Sequence, residues 1–171
     1  MPLPSLHSPR ILLRPWTRED VDGLHALWTA PEVRRYLWDD VVLTRDIAEQ
    51  AVEAHLASAA KHDIGFWALH MLPPDPSTRA PIAGFCGFRL VDDGAGIELM
   101  YGLRGEHWGK GSITEACAAA LEYLWRSTTY RQVYARTDPP NDKSVQVMLR
   151  LGMTHDSTTA SMITYVLQRP G

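Results

Sequence analysis

No stretch of this sequence carries the roughly 18–20 consecutive apolar residues that a bilayer span requires. Its start also lacks the basic-then-apolar pattern of a secretion signal. Cysteine is nearly absent, with only Cys86 and Cys117 in 171 residues. That count excludes a disulfide framework. Both lie in apolar patterns, so buried free thiols and a cytoplasmic setting are expected. The 7 histidines are scattered. His55 and His62 could share a helix face, but no Cys or second His stands at metal-ligand spacing, so no metal is expected. Excess positive charge is missing too: the formal charge is −3 and the isoelectric point about 6.1, which gives no electrostatic basis for nucleic acid as a partner. Repeats and low-complexity tracts are absent. With 45% hydrophobic and 22% charged residues, the composition is that of one globular domain over residues 1–171.

What is present is concentrated between Ile97 and Thr114, Ile-Glu-Leu-Met-Tyr-Gly-Leu-Arg-Gly-Glu-His-Trp-Gly-Lys-Gly-Ser-Ile-Thr. It reads as a strand, a turn carrying Gly109 and Gly111, and then a helix. In that helix the apolar positions Ile113, Ala116, Cys117, Ala120, Leu121, Leu124 and Trp125 keep helical spacing. The first amides of a helix have no internal partner and carry partial positive charge, and glycines let backbone approach an anion closely. A phosphate-bearing ligand near residues 108–113 is therefore expected. A Walker A loop fails, because Arg104 stands where its first glycine belongs. A dinucleotide fingerprint fails as well, because Thr114 stands where its third glycine belongs.

The motif Glu98-Leu99-Met100-Tyr101-Gly102-Leu103, followed by Trp108-Gly109-Lys110-Gly111-Ser112-Ile113-Thr114-Glu115-Ala116, resembles the GNAT superfamily of acyl-CoA N-acyltransferases. Within it, the similarity is to the ribosomal-protein N-terminal acetyltransferase branch. Thr137-Asp138-Pro139-Pro140-Asn141-Asp142-Lys143-Ser144, ending in Leu149-Arg150-Leu151-Gly152-Met153, supplies a second signature. The opening Leu12-Leu13-Arg14-Pro15-Trp16-Thr17-Arg18-Glu19-Asp20 supplies a third. Against the superfamily motif Gln/Arg-x-x-Gly-x-Gly/Ala, Trp108 takes the first place and Ile113 the last. A branched residue there either crowds a pyrophosphate or points into the core.

In chain order, a strand is expected at residues 11–16, then a helix from Thr17 with Asp20 as a capping-box partner and Val21, Leu24, Leu27 and Trp28 buried. A short helix follows from Pro31, containing Val33, Tyr36 and Leu37. Thr44 caps an alanine-rich helix to about Lys61. Strands are expected at 66–72, 81–91 and 97–103, with a proline-dense loop at 73–78 and a hairpin turn at Asp92-Asp93-Gly94. A helix over about 112–126, a strand at 132–137, a helix from Asn141 to Leu151 stopped by Gly152, and a strand at 162–167 complete the chain. The order gives an α+β fold with a mixed, mostly antiparallel sheet. The short segment 154–159 suggests a substrate cleft open on that side.

The resemblance implies a sheet splayed at the cofactor strand, and acetyl-CoA as co-substrate. Its pyrophosphate would lie on amides across Trp108, Gly109, Lys110, Gly111, Ser112 and Ile113, with Lys110 adding charge or remaining a solvated lysine. Its pantetheine arm would pair with backbone near Tyr101 and Leu103, with Gly102 forming a bulge or making room for packing. Asn141 would contact the pantetheine or only cap its helix. Ser144 would donate to the departing sulfur. Glu98, between Ile97 and Leu99, is the candidate general base, or else an exposed or salt-bridged glutamate. His107 and Tyr101 are weaker candidates. The expected activity is direct acetyl transfer to a primary amine of a protein N-terminus, amino acid or small amine; no nucleophile elbow or triad suggests a covalent enzyme intermediate. Trp28, Tyr36, Trp38, Asp39 and Asp40 either line the acceptor side, where the acidic residues would suit a cationic substrate, or are surface and core residues of ordinary helices. A homodimer is implied by the resemblance alone. The alternatives are a CoA-binding sensor module without catalysis, hinted at by Ile113, and a nucleotide-binding protein using the same glycine turn.

Overall fold

The computed structural model describes residues 3–72, 81–91 and 96–171. Its elements are β1 (Leu6–His7), β2 (Ile11–Pro15), a 3-10 turn (Arg18–Asp20), α1 (Val21–Thr29), α2 (Pro31–Leu37) and α3 (Arg45–His62). The chain continues through β3 (Phe66–Met71), β4 (Gly84–Val91), β5 (Gly96–Leu103), a second 3-10 turn (Gly105–His107) and α4 (Ser112–Ser127). It ends with β6 (Gln132–Thr137), α5 (Asp142–Arg150), β7 (Thr154–Thr158) and β8 (Ile163–Gln168). They form one eight-stranded sheet in the order β1-β2-β3-β4-β5-β6-β8-β7. Every neighbouring pair is antiparallel except β5 with β6. The fold is the expected α+β class with an open, mostly antiparallel sheet. The proline-dense loop and the hairpin turn fall largely or wholly outside the described residues. No helix is long and apolar enough to cross a membrane among the described residues.

The expected caps form. Thr17 and Asp20 make a capping box, the Thr44 hydroxyl accepts from the Ile47 amide, and Gly152 takes φ +81° past the end of α5. Asp20 is buried, and Arg14 bonds both of its carboxylate oxygens. Burial alone would raise the Asp20 pKa, but Arg14 and the Thr17 amide and hydroxyl outweigh it and hold the carboxyl below its usual range. This pair pins the end of β2 to the start of the helical layer.

Strand alternation sends β5 side chains to two different cores. Ile97, Leu99 and Leu103 pack with Ala116, Cys117, Ala120, Leu121 and Leu124 of α4. Met100 packs instead with the cluster of Trp16, Leu24, Leu27, Trp28, Val52 and Phe85 beneath α1 and α3. Each fully buried leucine here contributes about 1.5–3 kcal/mol. A third cluster joins Met148 of α5 to Ala135, Met153 and Tyr165. Both cysteines are free and buried.

The structure adds to the expectations at two points. Residues 154–158 form strand β7, paired antiparallel with β8; all five residues are exposed, so no hydrophobic alternation marks the strand. The second concerns Gly102. The β4–β5 register is unbroken from Gly84–Leu103 to Val91–Gly96, so there is no bulge against β4. A Cβ at Gly102 would lie 2.7 Å from Phe85 Cε1, and the glycine makes room for that ring.

Candidate active site

β5 and β6 are registered at a single pair, Glu98 with Tyr134, and part beyond it toward Leu103. Arg104 N–H donates to Ala83 O, so by alternation the N–H groups of Leu99, Tyr101 and Leu103 face the β6 side. Where the strands part, those of Tyr101 and Leu103 look into a cleft of about 1460 Å³. The cleft is bounded by α2, β5, the glycine turn, the first turn of α4, the end of β6 and α5.

The glycine turn enters α4 through two left-handed residues, Gly109 at φ +73° and Gly111 at φ +76°. The first helical bond runs from Glu115 N–H to Gly111 O, leaving the Ser112, Ile113 and Thr114 amides without intrahelical partners. Ser112 Oγ and Thr114 Oγ1 are buried with no hydrogen-bond partner among the described residues. Both residues line the cleft. Arg10 buttresses the turn from behind: its Nη1 donates to Lys110 O at 2.8 Å, and its Nε donates to Glu115 at 2.8 Å. Ser8 Oγ donates to the same carboxylate at 2.6 Å. Ser8 and Arg10 together hold the Glu115 carboxyl below its usual range.

Several expected ligand contacts are already engaged in the fold. The Trp108 amide donates to Gly105 O at 3.1 Å and its indole Nε1 to Leu103 O at 2.8 Å. The Lys143 ammonium sits 3.8 Å above the Trp108 ring centre. Trp108 thus ties the end of β5 to α5 and offers no free amide. Lys110 Nζ donates to Glu106 O at 3.0 Å. Asn141 Oδ1 accepts from the Ser144 amide at 3.3 Å and its Nδ2 donates to Thr137 Oγ1 at 2.9 Å, which is a helix cap. Ile113 is half-buried, packing against the α4 core while also lining the cleft.

Tyr101 and Ser144 meet across the splay, their hydroxyls 2.8 Å apart. The phenol has one proton to give, to Ser144 Oγ or to Ser144 O at 3.1 Å, and giving it to Oγ leaves the serine proton free. Burial pushes the Tyr101 phenol above its ordinary pKa, with the Ser144 hydrogen bond opposing. Glu98 is 3% exposed and accepts from Arg89 Nε at 2.7 Å. It is therefore a salt-bridged glutamate, and both partners line the cleft. His107 lines it as well, with Nε2 3.3 Å from Glu106 Oε1. Of the expected acceptor-side residues, Tyr36, Asp39 and Asp40 line the cleft; Trp28 and Trp38 do not. Those indoles pack edge to face at 5.6 Å, and Trp28 meets Trp16 at the same distance. Asp40 is held by Arg34 at 2.7 Å.

Four contributors were missed in the sequence: Arg10, Arg89, Thr114 and Lys143. Thr114 had a local signal, a hydroxyl one turn into the helix after the glycine pair. Arg89 had one in the hairpin, since counting outward from Asp93-Gly94 sets it opposite Glu98. Arg10 and Lys143 had none, because their partners are distant in sequence. No cluster of three or more His, Cys, Asp or Glu able to hold a metal occurs among the described residues.

An open strand edge meeting an uncapped, glycine-led helix start in one cleft is the arrangement the sequence resemblance implied. The chain belongs to the acetyltransferase (GNAT) domain family, which matches residues 10–154. It is 28% identical over 149 residues to an uncharacterized N-acetyltransferase p20 of Bacillus licheniformis, a match covering 84% of this chain and 79% of the relative. Its fold is similar to that of an acetyltransferase from Agrobacterium tumefaciens str. C58, with TM-score 0.82 at 19% identity over 98% of this chain and 96% of the other. It is also similar to RimL, a ribosomal L7/L12 alpha-N-protein acetyltransferase in complex with coenzyme A. There the TM-score is 0.80 at 15% identity, over 96% of this chain and 98% of that one.

Proposed function

We propose that this protein transfers an acetyl group from acetyl-CoA directly to a primary amine. The observation that carries the proposal is the convergence of the β5 edge and the α4 N-terminus on one cleft. The residues present fit the donor. Open amides at Ser112, Ile113 and Thr114, the two orphaned hydroxyls and the left-handed glycines suit a pyrophosphate. The N–H groups of Tyr101 and Leu103 suit a peptide-like arm by strand addition. Trp108 and Asn141 support this site through structure, the one bracing β5 against α5 and the other capping α5. The likeness to RimL is one of fold; a place in the ribosomal-protein acetyltransferase branch rests on the sequence signatures at residues 98–103, 108–116 and 137–144.

Acetyl-CoA supplies an activated thioester when bound. The chain's own groups then have two tasks. Glu98, directly or through water, takes a proton from the incoming amine. Ser144, oriented by Tyr101, donates a hydrogen bond where the thiolate departs. Tyr101 remains a protonated donor, because burial disfavours the phenolate. The balance is simple: the amine nitrogen bonds the acetyl carbon, the C–S bond breaks, sulfur gains one proton, and a protonated amine releases one further proton to solvent.

The test is thermal unfolding with acetyl-CoA, CoA and ATP titrated separately, followed by a free-thiol assay with amines. A ligand at about 100 times its dissociation constant stabilises the native state by about 2.7 kcal/mol. Stabilisation by both CoA species but not by ATP, with amine-dependent thiol release, is the expected result. No stabilisation by millimolar acetyl-CoA would overturn the proposal.

A further inference from the structure

We infer that the acceptor is a free α-amino acid, or a compound carrying a carboxylate beside its amine, recognised as a zwitterion by the Arg89–Glu98 pair. This rests on the acetyl-transfer proposal and names the substrate of the same cleft.

Arg89 and Glu98 are direct partners across the β4–β5 register, on the α1–α3 side of the sheet with Met100, opposite α4. Their exposure is unequal: the Glu98 side chain is 4% exposed and that of Arg89 is 45%. The contact is single-point, from Arg89 Nε to Glu98 Oε2. No other hydrogen bond reaches either group among the described residues, so both Nη groups of Arg89 and Oε1 of Glu98 are uncommitted. Arg89 therefore presents an unused two-nitrogen fork, the geometry that suits a carboxylate. Glu98 presents one oxygen to an ammonium. An α-amino acid carries those two groups one carbon apart, matching two protein groups that already touch.

The rest of the acceptor side agrees. Arg34 is satisfied by Asp40, and Glu32 accepts from the Gly105 amide at 3.2 Å. Arg35 lies over the Tyr36 ring. With Asp39 counted, Arg34, Arg35 and Arg89 face Glu32, Asp39, Asp40 and Glu98, a near balance of sign that gives no strong preference for a polycation or a polyanion. A polyamine would meet the half-exposed guanidinium beside the carboxylate it seeks. A peptide N-terminus would set a neutral amide where the fork is.

The test compares amino acids, their amides and their decarboxylated amines as acceptors in the free-thiol assay, with rates normalised to the fraction of unprotonated amine. Losing a hydrogen bond to a charged group predicts that kcat/KM for the acid exceeds that for the amide by about 10- to 100-fold. Arg89→Gln is expected to bring the acid-to-amide ratio to about one, whatever it does to the rate with the amide. Arg89→Lys, which keeps the charge without the fork, is expected to retain part of the ratio. Equal use of acids and amides by the unsubstituted protein overturns this inference alone, whatever the variants do. Absence of thiol release with every amine, while acetyl-CoA still raises the unfolding temperature, overturns it together with the transfer reaction but leaves cofactor binding standing.

Discussion

Replacing the turn glycines by alanine separates what they do for the fold from what they do for the ligand. Gly109 and Gly111 hold φ of +73° and +76°, so alanine at either position pays the left-handed penalty of about 1–2 kcal/mol. Space adds little. A Cβ at Gly109 meets nothing within 4 Å, and one at Gly111 lies 3.6 Å from Arg10 Nη2, an ordinary contact. For a domain of this size each kcal/mol moves the midpoint by about 2–4 °C, so each variant is expected to melt roughly 2–8 °C lower without ligand. Gly152→Ala is the control. It stands at φ +81° with its nearest neighbour 3.9 Å from the new Cβ, and it is not among the cleft residues. All three variants are therefore expected to lose similar stability. Saturating acetyl-CoA distinguishes them in a thermal shift assay. Gly152→Ala keeps the full ligand increment, about 2.7 kcal/mol at 100 times the dissociation constant. Gly109→Ala loses most of it, because its methyl enters open space at the cleft-lining turn where backbone must approach phosphate, whereas the Gly111→Ala methyl lies toward Arg10 behind the turn and that variant keeps more of the increment. An undiminished increment in Gly109→Ala would refute the assignment of the phosphate to this turn.

Other expectations follow from different parts of the molecule. Gly87→Ala puts a Cβ 2.3 Å from Gly65 O and 2.5 Å from Phe66 Cα; backbone cannot yield as a side chain can, so the urea midpoint is expected to fall by the equivalent of about 3 kcal/mol. Asp20 has a depressed folded pKa, so its contribution to stability is present above the unfolded aspartate value and disappears as pH falls through the folded one. Melting temperature measured downward from about pH 5 is expected to drop more gently in Asp20→Asn than in the unsubstituted protein, from a lower starting point. Ser144→Ala is expected to lower kcat by about 100-fold with little change in the KM for acetyl-CoA. Tyr101→Phe is expected to lower kcat less, since it frees the serine hydroxyl without deleting it. Full turnover by Ser144→Ala would show that solvent protonates the sulfur.

Much of the fold was legible because its elements carry strong local signals. The stripe Val21, Leu24, Leu27 and Trp28 marked α1, the 113–125 spacing marked α4, and Thr17, Thr44, Asn141 and Gly152 marked the ends of helices. β7 was not legible. Its five residues are all exposed, and what makes it a strand is the neighbouring β8 rather than its own pattern. Trp28 and Trp38 could be read either as substrate wall or as core, and packing between distant segments assigns them to the core. Asn141 shows the same limit from the polar side: a motif names the residue, and only the fold shows that both ends of its amide are already bonded.

Glu98 is the most instructive case. Its burial was expected from Ile97 and Leu99, and it is buried, but those neighbours are not the cause. In a strand, adjacent side chains point to opposite faces, so Ile97 and Leu99 lie against α4 while Glu98 lies beneath the other helical layer. What surrounds the carboxylate is its cross-strand partner Arg89 and the acceptor side of the cleft. That difference changes the chemistry. A glutamate buried by hydrocarbon alone would be a lone proton acceptor. Beside a half-exposed guanidinium it becomes half of a charge pair; in the proposed reading Arg89 holds the substrate's carboxylate while Glu98 receives the amine's proton. In the proposed reaction, the edge of the same strand serves the donor through the backbone of Tyr101 and Leu103, and the opposite face sends the Tyr101 hydroxyl to Ser144. Donor, leaving group and acceptor are thus assigned to the edge and the two faces of one strand, so a one-residue slip of β5 would disable all three together.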